Sequence, residues 1–146
     1  MMQMVSQRLE GQFLAPVGVH YILELYDCPF ELLNDLEFVM QSLKEAVIKA
    51  RATLLGEVSH QFHPQGVTAL LLLSESHISI HTWPESGYAA LDIFTCGDHA
   101  MPDRACTHLK EVFQSGRHAI FKLPRNKPAF TLPRFDTAEE LALAVC

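Results

Sequence analysis

At 146 residues, 49% of them apolar, the chain is long enough to bury a core of its own and has the usual size of one domain. Its 17 acidic against 11 basic side chains give a formal charge of −6. That charge opposes phosphate backbones and anionic membrane surfaces, and the few cations do not cluster, which counts against a nucleic-acid or membrane partner. Apolar stretches such as Ala69 to Leu73 are far short of the ~20 residues of a membrane span, and MMQMVSQRLEGQ lacks a signal-peptide apolar segment. A soluble, cytoplasmic protein is expected. Cys28, Cys96, Cys106 and Cys146 have no C-x-x-C spacing, so reduced thiols are expected and neither a zinc knuckle nor a redox pair is suggested.

In chain order, residues 1–17 read as peripheral, and Val19 to Leu25 (V-H-Y-I-L-E-L) as a strand. Pro29 then stands where a first helical turn tolerates proline. Leu32, Leu33, Leu36, Val39, Met40, Leu43, Val47 and Ile48 recur at three- and four-residue steps and predict one helix ending near Ala52. Four strand-like runs follow: TLLGEVSHQF, then, after a break at HPQG, VTALLLLS, ISIHTW and, after the turn PESG, YAALDIFTC. They predict an antiparallel meander. Pro102 opens a second helix through Ala105, Leu109, Val112 and Phe113, and Gly116 closes it before the strand HAIFKL. The stretch from Pro124 to Pro133 reads as the start of a peripheral tail, residues 124–146, in which Thr137 and Glu140 have capping-box spacing for a short last helix.

The order β-α-β-β-β-β-α-β predicts an α+β fold, a two-layer α/β sandwich with both helices on one face of a largely antiparallel sheet. The other face must meet solvent or a partner. An uncovered face or edge invites a second copy, so a homodimer is expected.

Between two of these strands lies Glu75-Ser76-His77, where Asn-Gly or Gly-Gly would turn the chain more cheaply. In an extended strand Ile78 and Ile80 point one way, and His77, Ser79, His81 and Trp83 the other. A chain with eight histidines places some on exposed faces by chance. A transition-metal site drawing on His60, His63, His77 and His81 is the sharper rival, but the acids nearby, Glu75 and Glu85, sit at turns. A tight turn can instead press the Ser76 hydroxyl against its own preceding carbonyl and so activate it. A hydrolase elbow does not fit: G-x-S-x-G is absent and a strand, not a helix, follows Ser76.

The run SESHISIHTWPE with GYAALDIFTCG resembles the prokaryotic S-adenosylmethionine decarboxylase proenzyme family, pyruvoyl enzymes that make their own cofactor. The resemblance extends from about His20 to Gly97. It implies that Ser76 attacks the carbonyl of Glu75 and shifts the peptide bond to an ester. Loss of the Ser76 α-proton then releases Glu75 as a carboxylate and leaves dehydroalanine, which hydrolyses to a pyruvoyl group and ammonia. Residues 1–75 and 76–146 become two chains, and the active site lies between protomers.

By the same resemblance, His81 assists processing, and its place on Ser76's own strand is compatible with that role. Thr68 stands where the family carries a serine that helps the acyl shift. The pyruvoyl group forms a Schiff base with the substrate amine, and Cys96 returns a proton to the product carbon. A thiol, with a pKa of ~8.5, suits that task. Glu85 is assigned to the ribose hydroxyls and Phe62 to stacking on adenine, although a solvated turn and a core position are the bland alternatives. Glu24 and Asp92, acids on otherwise apolar strands, are supporting candidates. No metal is implied. The expected function is decarboxylation of S-adenosylmethionine, giving the aminopropyl donor for spermidine. Pyruvoyl-dependent arginine or ornithine decarboxylation on the same scaffold, or a processing-dead regulatory subunit, are the alternatives.

Overall fold

The computed structural model describes residues 17–125. In chain order they form β1 (Gly18–Tyr26), α1 (Phe30–Leu33), α2 (Leu36–Lys49), β2 (Leu54–Gln61), β3 (Val67–Leu73), β4 (Ser76–Trp83), a 3-10 turn (Pro84–Ser86), β5 (Tyr88–Cys96), α3 (Pro102–Val112) and β6 (Arg117–Arg125). The six strands make one sheet in the order β2-β3-β4-β5-β1-β6, every neighbouring pair antiparallel. The meander runs unbroken from β2 to β5. The first strand then lies between β5 and the last strand.

Alternation along the strands decides which face the helices cover. Tyr21, Leu23 and Leu25 of β1, Ala69, Leu71 and Leu73 of β3, Ile78 and Ile80 of β4, and Leu91 and Ile93 of β5 are buried. They meet Val39, Leu43, Ala46 and Val47 of α2 and Ala105, Cys106 and Leu109 of α3 in one core. Full burial of each large side chain contributes about 1.5–3 kcal/mol, so this layer dominates the fold's stability. Phe38 meets Phe113 edge-on at 5.6 Å, joining the two helices. The fold is thus α+β, with a two-layer sandwich as the sequence predicts.

Two boundaries differ from the sequence reading. The first helical stretch is two helices, because Asp35 accepts the Phe38 N–H at 3.0 Å and caps a new start at Leu36. Asn34, between them, instead uses its side-chain oxygen to accept the Gly66 N–H (2.9 Å) and Gln61 Nε2–H (3.2 Å), tying the helix break to the β2–β3 loop. Pro124 is not in a peripheral tail: it pairs with Val19 inside β6, an edge strand, where a missing N–H costs no ladder bond. The short helix expected after Thr137 and the peripheral segment before Val17 lie outside the described residues. Among the described residues no helix is long and apolar enough to cross a membrane.

Candidate active site

The β3–β4 connection is a two-residue turn, Ser74-Glu75, closed by the Leu73–Ser76 pair. Hairpin turns of this length ordinarily put positive φ on the loop residues. Here the positive φ falls on Ser76, at +148°, a region that is costly for a residue with a Cβ. Such strain persists only when the surroundings impose it, and this turn is held on several sides. The Ser74 N–H donates to Thr53 O at 2.9 Å, the Thr53 N–H donates to Glu75 Oε2 at 2.9 Å, and His99 Nε2 lies 3.0 Å from Glu75 Oε1. The Glu75 side chain is buried. Burial pushes its carboxyl up, but the bonds from Thr53 and His99 outweigh that and hold it below its ordinary value.

The carbonyl between Glu75 and Ser76 is held as well: its oxygen accepts the Cys96 N–H at 2.9 Å. A backbone donor on the carbonyl that the Ser76 hydroxyl would attack stabilises the oxyanion formed there. Cys96 ends β5 and is half-buried, and it pairs in register with Gly18 of β1. A Cβ on Gly18 would come within 2.6 Å of Thr95 O and 2.8 Å of the Phe94 ring, so only glycine lets β1 approach this closely.

The open face of the sheet gathers the polar groups next to Ser76. The Ser76 hydroxyl lies 3.3 Å from His77 Nδ1, and His77 Nε2 lies 2.8 Å from Asp92 Oδ2. The same carboxylate oxygen is 2.7 Å from His20 Nε2, and the Ser79 hydroxyl donates to Asp92 Oδ1. Burial pushes Asp92 up, yet the bonds from Ser79, His77 and His20 outweigh it and hold the carboxyl below its ordinary value.

Thr68, His81, Phe62 and Glu85 form a separate group towards the other end of β4. Thr68 Oγ1 and His81 Nδ1 are 2.9 Å apart across the β3–β4 pair. Phe62 is exposed and meets His60 edge-on at 4.6 Å. Glu85 lies in the 3-10 turn, exposed, and accepts from Gln65 Nε2 at 3.3 Å. His81 follows Ser76 by five residues of extended strand, about 16 Å. It therefore does not reach the hydroxyl of its own chain. The ligand-type side chains that converge among the described residues are His20, His77 and Asp92, not the His60, His63, His77 and His81 set. Glu24 accepts the Tyr88 hydroxyl. Burial pushes the Cys28 thiol up to about 11 and that of Cys106 up to about 12, so both behave as small core side chains.

Residues 19–126 match the S-adenosylmethionine decarboxylase family. That span covers most of the chain. The chain belongs to the S-adenosylmethionine decarboxylase family. It is 55% identical over 113 residues to an S-adenosylmethionine decarboxylase proenzyme of Synechococcus sp. (strain WH7803), covering 77% of this chain and 88% of that one. It is 48% identical over 111 residues to the proenzyme of Thermosipho africanus (strain TCF52B), covering 76% and 85%. The crystal structure of the adenosylmethionine decarboxylase from Aquifex aeolicus VF5 superposes with a TM-score of 0.73 at 32% identity, covering 82% of this chain and 98% of that chain.

Of the family site's neighbours, sequence reasoning missed the contribution of Thr53, His99 and His20. Thr53 acts through its backbone, which leaves no residue-type signal. His20 meets Asp92 only because β1 inserts beside β5, a non-local pairing. His77 and Ser79 were legible as one face of a strand. Their shared acid, Asp92, becomes evident once the Ser79–Asp92 register is known.

Proposed function

We propose that this chain is a self-processing, pyruvoyl-dependent decarboxylase of S-adenosylmethionine that supplies the aminopropyl donor for spermidine. One observation carries the reading: a strained Ser76 in a pinned turn, with the preceding carbonyl already accepting the Cys96 N–H. Ser76 Oγ bonds to the Glu75 carbonyl carbon, the C–N bond breaks, and Glu75 is held as an ester. Loss of the Ser76 α-proton then expels Glu75 as a carboxylate, and water converts the remaining dehydroalanine to a pyruvoyl group with release of ammonia. The pyruvoyl carbonyl supplies the electron sink for loss of carbon dioxide from the substrate. The thiol of Cys96, a residue whose backbone N–H bonds to the scissile carbonyl, returns a proton to the product carbon.

Thr68 and His81 assist processing, and Phe62 and Glu85 take the adenosine moiety, stacking on the base and accepting from the ribose hydroxyls. Because these groups sit about 16 Å along β4 from Ser76, they serve the Ser76 of a second copy. A two-fold axis that sets two open faces together, each Ser76 end against the partner's His81 end, makes two equal sites. The exposed apolar side chains of that face support this arrangement: Val58, Leu70, Leu72, Phe121 and Leu123 are 42–63% exposed.

The test is a denaturing gel with intact mass. The wild-type chain splits at Glu75–Ser76, the C-terminal fragment reacts with carbonyl reagents, and Ser76→Ala stays whole. Carbon dioxide released from carboxyl-labelled S-adenosylmethionine, and not from arginine or ornithine, fixes the substrate. A wild-type chain that stays whole refutes the proposal.

A further inference from the structure

Resting on the self-cleavage reading, we propose that His77 is the base that takes the Ser76 hydroxyl proton in the acyl shift, with Asp92 fixing its tautomer and His20 positioning Asp92. The hydrogen bonds themselves assign the protons. Arg125 can only donate, and its guanidinium nitrogen lies 3.0 Å from His20 Nδ1, so that nitrogen accepts. Neutral His20 then carries its proton on Nε2 and donates it to Asp92 Oδ2 at 2.7 Å. His77 Nε2, 2.8 Å from the same oxygen, must also be a donor. A neutral His77 with its proton on Nε2 leaves Nδ1 as a lone pair, 3.3 Å from Ser76 Oγ.

Adjacent residues of a regular strand point to opposite faces, which would keep Ser76 from this nitrogen. The contact exists where Ser76 departs from regular strand geometry, at φ +148°. Asp92 is suited to its part, since both its oxygens accept hydrogen bonds and these keep it ionised despite partial burial. The arrangement follows the logic of a serine activated by a histidine that a carboxylate orients, built here on neighbouring strands of one sheet.

The step balances without an outside partner. As Ser76 Oγ bonds to the Glu75 carbonyl carbon, its O–H bond breaks and the proton passes to His77 Nδ1. The carbonyl π pair moves to the oxygen that accepts the Cys96 N–H. Collapse of that oxyanion breaks the bond to the Ser76 nitrogen, which leaves with the proton His77 had taken. His77 ends the step neutral, and the chain gains and loses nothing. His81, on the separate group, is left for the later steps.

The experiment follows full-length chains made by cell-free synthesis, chased, quenched at intervals and run on denaturing gels. His77→Ala is expected to slow splitting by roughly 100-fold or more, the lower range for a lost general base. Added imidazole should restore part of the rate to His77→Ala and none to Ser76→Ala. Uncleaved His77→Ala chains should resist hydroxylamine, which cleaves an ester, because the block precedes ester formation. His77→Gln guards against misfolding: it keeps a polar side chain of similar size, is no base, and should melt like Ser76→Ala yet split slowly. Asp92→Asn should slow splitting at least ~10-fold by permitting the wrong tautomer. Splitting of His77→Ala or His77→Gln at the wild-type rate overturns the inference, as does a hydroxylamine-sensitive ester accumulating in either, or a slow rate that imidazole leaves unchanged. If the wild-type chain itself stays whole, it is the self-cleavage reading that falls.

Discussion

Glu75→Ala tests whether the turn's anchoring drives processing. A non-glycine residue held where Ser76 is, at φ +148°, carries about 1–3 kcal/mol of backbone strain. Alanine removes two of the turn's anchors, the Thr53 N–H bond to Oε2 at 2.9 Å and the His99 contact to Oε1 at 3.0 Å. The His99 side chain is 63% exposed, so its share is small. The bond from Thr53 to the buried carboxylate is the substantial one, about 1.5–3 kcal/mol, comparable with the strain it opposes. Without it Ser76 relaxes before it reacts, and losing 1–3 kcal/mol of ground-state strain slows cleavage roughly 5- to 150-fold. Lost anchor and relieved strain offset each other in the folded state, so with Ser76→Ala as background the added change shifts unfolding by less than about 2 kcal/mol. Glu75→Gln, which keeps an acceptor for Thr53, should fall between the two. Time courses on denaturing gels give the rate, and urea unfolding of the uncleaved chains gives the stability. Cleavage of Glu75→Ala at the wild-type rate would refute the reasoning.

Cys96→Ala should still self-cleave, because the donor to the Glu75 carbonyl is its backbone N–H, while carbon dioxide release from labelled substrate drops by about 100-fold or more; failure to cleave would show that the thiol acts earlier. Stability should depend on acid in a defined direction: Glu75 and Asp92 both sit below their ordinary values, burial being outweighed by hydrogen bonds. Their contribution is therefore complete above about pH 5 and is lost as pH falls through the depressed folded values. Urea midpoints of Ser76→Ala should decline there, and Asp92→Asn should flatten the decline. Leu72→Asp, at a side chain 57% exposed on the open face, should give a monomer by light scattering that still unfolds cooperatively, its melting temperature lowered only by the lost stabilisation from the partner. A dimer that persists would place the interface elsewhere.

What the sequence made legible was local. The alternation of Ile78 and Ile80 against His77, Ser79 and His81 sorted the two faces of β4 correctly, because strand periodicity is a property of neighbouring residues. The helix break at Asn34-Asp35 was hidden because both flanks are apolar at helical spacing, and only the tertiary bonds from Gly66 and Gln61 show why Asn34 left the helix. The insertion of β1 between β5 and β6 depends on contacts far apart in sequence, and with it went His20. The resemblance supplied Ser76, Cys96, His81 and Thr68 as one set. It could not show that a straight strand holds two of them about 16 Å from the other two, which is a matter of distance, not residue type.

The strand order would give the proposed break between Glu75 and Ser76 an unusual mechanical character. The N-terminal fragment contributes β1, α1, α2, β2 and β3, and the C-terminal fragment β4, β5, α3 and β6. Neither is a contiguous block of the sheet, since β1 is wedged between β5 and β6 while β3 lies along β4. Pulling the pieces apart would require unzipping three ladders at once, so severing the polymer there would leave an interlocked pair whose cohesion owes nothing to the lost covalent link.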